Sequence, residues 1–333
     1  MTSPRRHCVP CPLVPDGPVA VSAASATGLA RRTGAPAGDT TGGRRRQALT
    51  GYAFLFPSLV GVLLFLAIPV VIVFVLSFMR WNLLNPASFV GFRNYVDIFR
   101  YENAGHALLV TAYYVLLNIP AQTVIALGLA MLLRRKQRGA GVVRVLCVLP
   151  YLATPVAMAV VWNWVFNPTN GIINTLLSHV GITGPAWTSS ATWAMPVVAF
   201  ANIWQYVGYN MLFFFAGLNA IPGALYEAAA VDGASRSKQF FRITVPLLRP
   251  TLLFVLVTGF IGSFQVFDTV YVLTNGGPGN STQVMNQLIY QEAFTSFNIG
   301  DASAMSVVLF GVILAVTIAQ FVYFRRRTTY EMN

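Results

Sequence analysis

Residues 227–250 read EAAAVDGASRSKQFFRITVPLLRP, a polar, lightly charged segment set between two long apolar stretches. Just ahead of it, Ile221-Pro222-Gly223 is a turn signal. Ala224 to Val231 consists of good helix formers, and Asp232-Gly233 stops the run. Ser235 is placed to cap a second short helix through Phe240 and Phe241. Pro246 and Pro250 then let the chain enter the next apolar stretch without forming one long rigid element. The expected product is a helix-turn-helix knob. An ordinary amphipathic connector between membrane spans shares this local pattern, so the surroundings must decide.

Those surroundings are a bilayer protein. Of the 333 residues 56% are hydrophobic and 10% charged, too apolar for an ordinary soluble domain. A helical span needs about 20 apolar residues, and six candidates stand out: residues 52–79, 108–133, 142–166, 193–216, 246–273 and 304–324. The fold class is all-α and polytopic, with both termini on one side. Cytoplasmic loops collect Lys and Arg, and with the amino terminus inside, all of the 22 except Arg80, Arg93 and Arg100 fall on the cytoplasmic side. The knob at residues 227–250 then faces the cytoplasm. The net charge of +12 flanks spans and forms no module with interleaved aromatics, so it marks topology and contact with anionic lipid, with no nucleic acid implied.

The chain divides into a disordered basic tail (1–47), a six-helix membrane domain (48–328) with the knob loop at 217–246, and a short cytoplasmic end (329–333). The tail is rich in Pro, Gly, Ala, Ser, Thr and Arg and lacks periodicity. The first apolar run begins too late and is too long for a cleaved signal peptide. Cys8 and Cys11 beside His7 have redox or zinc spacing but lack two further ligands, so no metal is expected. Cys147 reads as a small packing residue.

The knob resembles the EAA loop of binding-protein-dependent ABC importer permeases. Its pattern falls on Glu227, Ala228, Ala229, Asp232, Gly233, Ala234, Phe240, Ile243, Pro246 and Pro250. Gly217 to Pro222 fits as well, and Leu273-Thr274-Asn275-Gly276-Gly277-Pro278 resembles the first permease of the maltose, lactose and glycerol-phosphate type systems. Phe89 to Tyr95 resembles the first extracytoplasmic loop of the same permeases, although Trp81, Phe92 and Tyr95 also suit an interfacial aromatic belt. The likeness covers roughly residues 50 to 325.

The resemblance implies a type I importer permease in a bacterial cell membrane. Its partners would be a second homologous permease, a cytoplasmic ATPase dimer that binds ATP and Mg, and an extracytoplasmic solute-binding protein that delivers a carbohydrate. Glu227, Ala228, Ala229, Asp232, Gly233, Phe240 and Phe241 would form the coupling surface. Glu227 would make a charge-assisted contact worth roughly 1.5–3 kcal/mol if desolvated. This chain would hold no cofactor.

Polar side chains inside spans carry information because they are costly there. Asn202, Gln205, Tyr206 and Tyr209 fall at steps of three and four and share one helical face, and Ser263 and Gln265 lie near Gly259 and Gly262. Amides, hydroxyls and aromatic rings suit a sugar. The same residues also suit interhelical hydrogen bonding and close packing. By resemblance, Asn202, Tyr209 and Ser263 fall where a sugar permease of this family lines its central cavity. Asp268 is the one acid near a span, and it reads as reaching water. Without mid-membrane carboxylates or histidines, proton coupling is disfavoured. The sequence has no phosphate loop, no zinc pair and no Ser-His-Asp set, so no catalysis by the chain itself is expected. A secondary transporter or channel acting alone is the alternative reading.

Overall fold

Helices form where the apolar runs predict them, and several of their breaks lie beside prolines. The computed structural model describes residues 41–134 and 138–325, with side chains from residue 49. These residues fall into two compact units, one ending at Val60 and the other beginning at Gly61. The first holds most of helix α1 (Thr41–Val62). The tail expected to be disordered to residue 47 is therefore helical from Thr41. The rest of that tail, with the Cys8–Cys11 pair, lies outside the described residues, as do residues 326–333.

The second unit starts in a π-helical turn, Leu63–Ala67, followed by α2 (Ile68–Leu76). Pro69 has no N–H to give the Phe65 carbonyl, and the Ile68 N–H reaches back to Leu63 in a widened turn. The first connection contains a two-stranded antiparallel ladder, β1 (Met79–Arg80) and β2 (Ser88–Phe89), with Met79 opposite Phe89. Helix α3 (Arg93–Arg100) follows. Asn94, within the Phe89 to Tyr95 stretch, is buried and donates to the carbonyls of Ser77 and Met79, each at 2.9 Å. That stretch therefore ties its own connection together.

Next come α4 (Ala104–Leu133), α5 (Ala140–Val148) and a 3-10 turn (Leu149–Leu152). They are followed by α6 (Pro155–Val165), α7 (Ile172–His179) and α8 (Ala194–Ala220). The knob contains α9 (Gly223–Val231), α10 (Arg236–Gln239) and a second π-helical turn, Phe240–Thr244. Its Val245 N–H bonds to the Phe240 carbonyl just ahead of Pro246, the same device as at Pro69. The chain closes with α11 (Val245–Leu247), α12 (Arg249–Phe264), α13 (Asp268–Leu273), α14 (Met285–Phe294) and α15 (Ile299–Arg325).

Leu49–Leu76, Ala104–Leu133 and Ile299–Arg325 are each long and apolar enough to cross a membrane, and three bent helix pairs bring the number of spans to as many as six. Two expected spans are corrected. The stretch 142–166 is not one continuous helix: α5 with its 3-10 turn meets α6 at 98°. Pro150 and Pro155 flank the break, where Ala153 is extended (φ −78°, ψ 148°) and Thr154 caps α6. The stretch 246–273 also does not run through, since α12 ends at Phe264 and α13 begins separately at Asp268.

Two apolar clusters hold the second unit. One gathers Tyr114, Met195, Val198, Val270, Met285 and Met305. The other gathers Ala126, Ala130, Met211, Phe214, Leu218 and Val255. Large apolar side chains such as Leu116 and Phe310 point outward, as lipid solvent favours. Away from the knob, Glu102 lies beside the buried Glu292, and burial first, then that neighbouring carboxylate, raises its pKa above the usual range.

Helix α8 approaches α5 closely at Gly208, where an added Cβ would collide with the Cys147 carbonyl. Small residues permit such contacts between membrane helices. Gly208→Ala is expected to destabilise the protein by roughly 1–3 kcal/mol. Gly311→Ala, which meets open space, is the control. Thermal unfolding of detergent-purified variants measures both; equal midpoints for the two would refute the close approach.

Candidate functional site

Two features stand out in the second unit, a projecting knob and a polar cavity. In the knob, α9 ends in a Schellman turn. The Ala234 N–H bonds to the Ala229 carbonyl at 2.8 Å and the Gly233 N–H to the Ala230 carbonyl at 3.1 Å. Gly233 takes φ +72°, which is strained for any residue with a Cβ. The Ser235 hydroxyl then accepts from the Lys238 N–H at 3.4 Å and caps α10.

The knob presents Glu227, Ala228, Asp232, Gly233 and Phe241 to the exterior, with Phe241 69% exposed; Ala229 and Phe240 are half-buried. The two phenylalanine rings meet edge to face at 5.0 Å. Val231, 88% exposed, extends the apolar surface. Glu227 has no ion-pair partner among the described residues. The exposed side thus joins an unpaired carboxylate to an apolar patch. Tyr226 hydrogen-bonds Thr244 at 2.9 Å, and the Arg134 guanidinium lies 5.1 Å from the Tyr226 ring centroid. These contacts bind the knob to the end of α4 and to the approach to α12.

The cavity, of about 240 Å³, sits between the two apolar clusters. It is placed by stretches of α4, α8 and α12 that carry polar residues where neighbouring turns carry core residues. Asn118 and Gln122 come from α4, Asn202, Tyr206, Tyr209 and Asn210 from α8, and Thr258 and Ser263 from α12. Asn118 Nδ2 donates to Asn202 Oδ1 at 3.2 Å and to Ser263 Oγ at 3.0 Å. Its Oδ1 is buried without a partner. Tyr151 stacks on Tyr209 with centroids 4.3 Å apart and planes 13° from parallel. It arrives from the 3-10 turn at the broken span, so the break furnishes an aromatic wall.

The residues expected to line a pathway divide unequally. Asn202, Tyr206, Tyr209, Ser263 and Gln265 line the cavity. Gln205 does not; it is buried and donates to the Ala153 carbonyl at 3.1 Å, satisfying backbone exposed by the break in the span. Sequence reasoning missed Asn118, Gln122, Tyr151 and Asp268 as lining residues. Asn118 and Gln122 are four apart within an apolar helix, a signal as legible as the one on α8. No local pattern carried Tyr151, whose position depends on the 98° bend. The cavity offers hydrogen-bond donors, acceptors and a ring face. Among the described residues, no cluster of His, Cys, Asp and Glu is arranged to hold a metal.

The family model described as "Binding-protein-dependent transport system inner membrane component" matches residues 122–329. The trehalose/maltose transport system permease protein of Thermococcus litoralis is 34% identical over 277 residues, 82% of this chain and 92% of that protein. The sn-glycerol-3-phosphate transport system permease protein of Brucella abortus is 34% identical over 284 residues, 84% of this chain and 96% of that protein. In fold, the chain is similar to one in the crystal structure of a bacterial ABC transporter involved in import of the acidic polysaccharide alginate. The TM-score is 0.75 at 24% identity, covering 86% of this chain and 98% of that one.

The Asn118 amide joins three helices, so its loss should be felt as stability. Asn118→Leu is expected to cost about 1–2 kcal/mol, near the upper range for interhelical hydrogen bonds in membranes, and to lower the unfolding midpoint by a few degrees. An unchanged midpoint in detergent would show that the amide does not hold the helices together.

Proposed function

Because the chain belongs to the binding-protein-dependent transport system inner membrane component family, we propose that it is the permease subunit of an ABC importer that moves a sugar or related carbohydrate into the cytoplasm. The candidate substrates are an oligosaccharide, a polyol or a glycerol phosphate. The observation that carries this reading is a projecting knob, with an unpaired carboxylate and an apolar patch, joined through α12 to a polar cavity. The names of two relatives, for trehalose/maltose and for sn-glycerol-3-phosphate transport systems, support the carbohydrate class.

In this reading the knob seats in a cytoplasmic ATPase that binds ATP and Mg, while this chain contributes no cofactor. Glu227 pairs with a basic group in the docking cleft. Gly233 holds the turn that sets α9 against α10, and Phe241 enters an apolar recess. ATP-driven closure of an ATPase dimer moves the knob, and α12 transmits that movement to the cavity wall. The cavity, smaller than a typical small-molecule pocket, is one wall of a pathway completed by a second, homologous permease. An extracytoplasmic binding protein delivers the substrate, and the knob side, which carries Arg236, Lys238 and Arg242, faces the cytoplasm.

Glu227→Lys and Gly233→Val are expected to insert normally but to lose at least tenfold in ATP-driven uptake, with ATP hydrolysis no longer tied to transport. The valine must take a left-handed backbone conformation that costs roughly 1–2 kcal/mol. Uptake into ATP-loaded proteoliposomes of the complete importer is the measurement. Wild-type uptake by both variants would sink the coupling role. Uptake by the chain alone, driven by an ion gradient without ATPase, would favour a secondary transporter.

A further inference from the structure

A second cavity, of about 440 Å³, lies at the base of the knob. Its lining includes Met131 and Arg134 from the end of α4, Tyr226 of α9, and Arg236 and Gln239 of α10. Arg134 directly follows Ala104–Leu133, a helix long and apolar enough to cross a membrane, so the cavity sits at a membrane–water boundary. It is the boundary at which Lys and Arg gather.

Two chemistries meet in this lining. Arg134 and Arg236 bring two guanidiniums, and no Asp or Glu lines the cavity. Among the described residues neither arginine has a carboxylate partner. A third guanidinium stands close by: Arg144 Nη2 donates to the Leu133 carbonyl at 3.3 Å, and its Nε is buried without a hydrogen-bond partner. The sequence beyond Arg134 continues with Arg135, Lys136 and Arg138, so it adds cations and no acid. Met131, by contrast, is apolar and 39% exposed, and Leu132 beside it is 54% exposed. A cationic cavity that opens beside outward-facing hydrocarbon fits a ligand carrying both an anion and a hydrocarbon tail.

We propose that this cavity binds the phosphate of an anionic phospholipid in the leaflet on the knob side, and that the bound lipid braces α10 against the end of α4. The inference goes beyond the transport reading, and the identity of the transported solute does not enter it. Guanidiniums match phosphate oxygens with paired hydrogen bonds, and basic cavities between membrane helices on the cytoplasmic side suit such headgroups. A zwitterionic lipid would bring an ammonium group into a lining that already holds two cations. A free phosphate would satisfy the arginines and leave the apolar surface at Met131 and Leu132 uncovered. Two simpler roles compete. Arginines at the end of a span also reach headgroups without any selective site, and a docked ATPase could close the cavity.

The test uses the full chain, with the partners it retains through gentle purification, in phosphatidylcholine nanodiscs that carry a trace of diazirine-labelled phosphatidylglycerol. Illumination and peptide mapping are expected to place the label on the peptides containing Met131 to Arg134 and Arg236 to Phe240. Unlabelled phosphatidylglycerol is expected to suppress that label about fivefold or more, while extra phosphatidylcholine or inorganic phosphate leaves most of it. Arg134→Gln combined with Arg236→Gln is expected to cut the label about tenfold or more, at about fivefold for each charge. Arg242→Gln, which removes a charge from the same loop without lining the cavity, keeps most of it. Recovery of the intact assembly controls for folding. If the double variant is not recovered, Arg236→Gln alone, an exposed side chain, carries the test with an expected loss of about fivefold. Hydrogen exchange reads the brace: α10 amides are expected to exchange about threefold more slowly in phosphatidylglycerol nanodiscs than in phosphatidylcholine. Label spread outside the cavity, equal competition by phosphatidylcholine, or a label untouched by the variants overturns the site. Competition by inorganic phosphate as strong as that by phosphatidylglycerol assigns the cavity to a free anion and overturns the lipid. A label that appears only once the ATPase is removed assigns the cavity to ATPase docking and also overturns it, while unchanged α10 exchange overturns the brace. None of these readouts depends on ATP or on a transported solute, so the transport reading stands or falls separately.

Discussion

One amide holds the middle of the second unit together. Asn118 reaches Asn202 on α8 and Ser263 on α12 from its place on α4, and hydrocarbon offers no water to take over either bond. The polar groups of three helices are therefore committed to one another at one level, with apolar clusters on either side along the helices. The cavity is the space left at that level, with Asn118 and Asn202 bonded to one another on its wall. Similar ties act elsewhere: Asn163 donates to the Val272 carbonyl at 2.9 Å and joins α6 to α13. A polar group placed on a membrane helix without such a partner would be an energetic defect.

The same constraint explains why the broken helices do not unravel. Proline removes a donor and leaves a carbonyl without its helical partner. At Pro69 and Pro246 a widened turn absorbs the change within the helix. At Pro150 and Pro155 the chain bends by 98°, and the Gln205 side chain donates to the Ala153 carbonyl at the break. Irregular backbone survives in the membrane where it is buried in protein or lines a cavity, and this bend brings Tyr151 to the cavity wall.

What the sequence disclosed follows from the range of each interaction. The knob was legible almost to the residue because its chemistry is local: the glycine that allows φ +72°, the serine that caps the next helix and the prolines on its approach to α12 lie within one short segment. Spans were legible from length and apolarity, and so was the polar face of α8. The direction of Gln205 was not, since it depends on a carbonyl exposed by a break 52 residues away in sequence. Asp268 looked like an acid reaching water because the sequence suggested a single long span; the interruption between α12 and α13 brings it to the cavity. Prolines are a partial guide to the breaks, since Pro57 and Pro120 lie inside unbroken helices and the interruption between α12 and α13 contains none.

The knob and the cavity are joined by α12. The Tyr226–Thr244 hydrogen bond and the Arg134 contact secure the base of the knob, and α12 continues from there to Ser263. Among the described residues nothing forms an ion pair with Glu227 on the exposed side of the knob, in keeping with the proposal that another subunit engages it. The most direct measurement is native mass spectrometry of a tagged copy released gently from its host membrane. The expected species contains this chain, one different permease of similar size and two copies of an ATPase. A stable species made of this chain alone, or only of its own copies, would contradict the central claim.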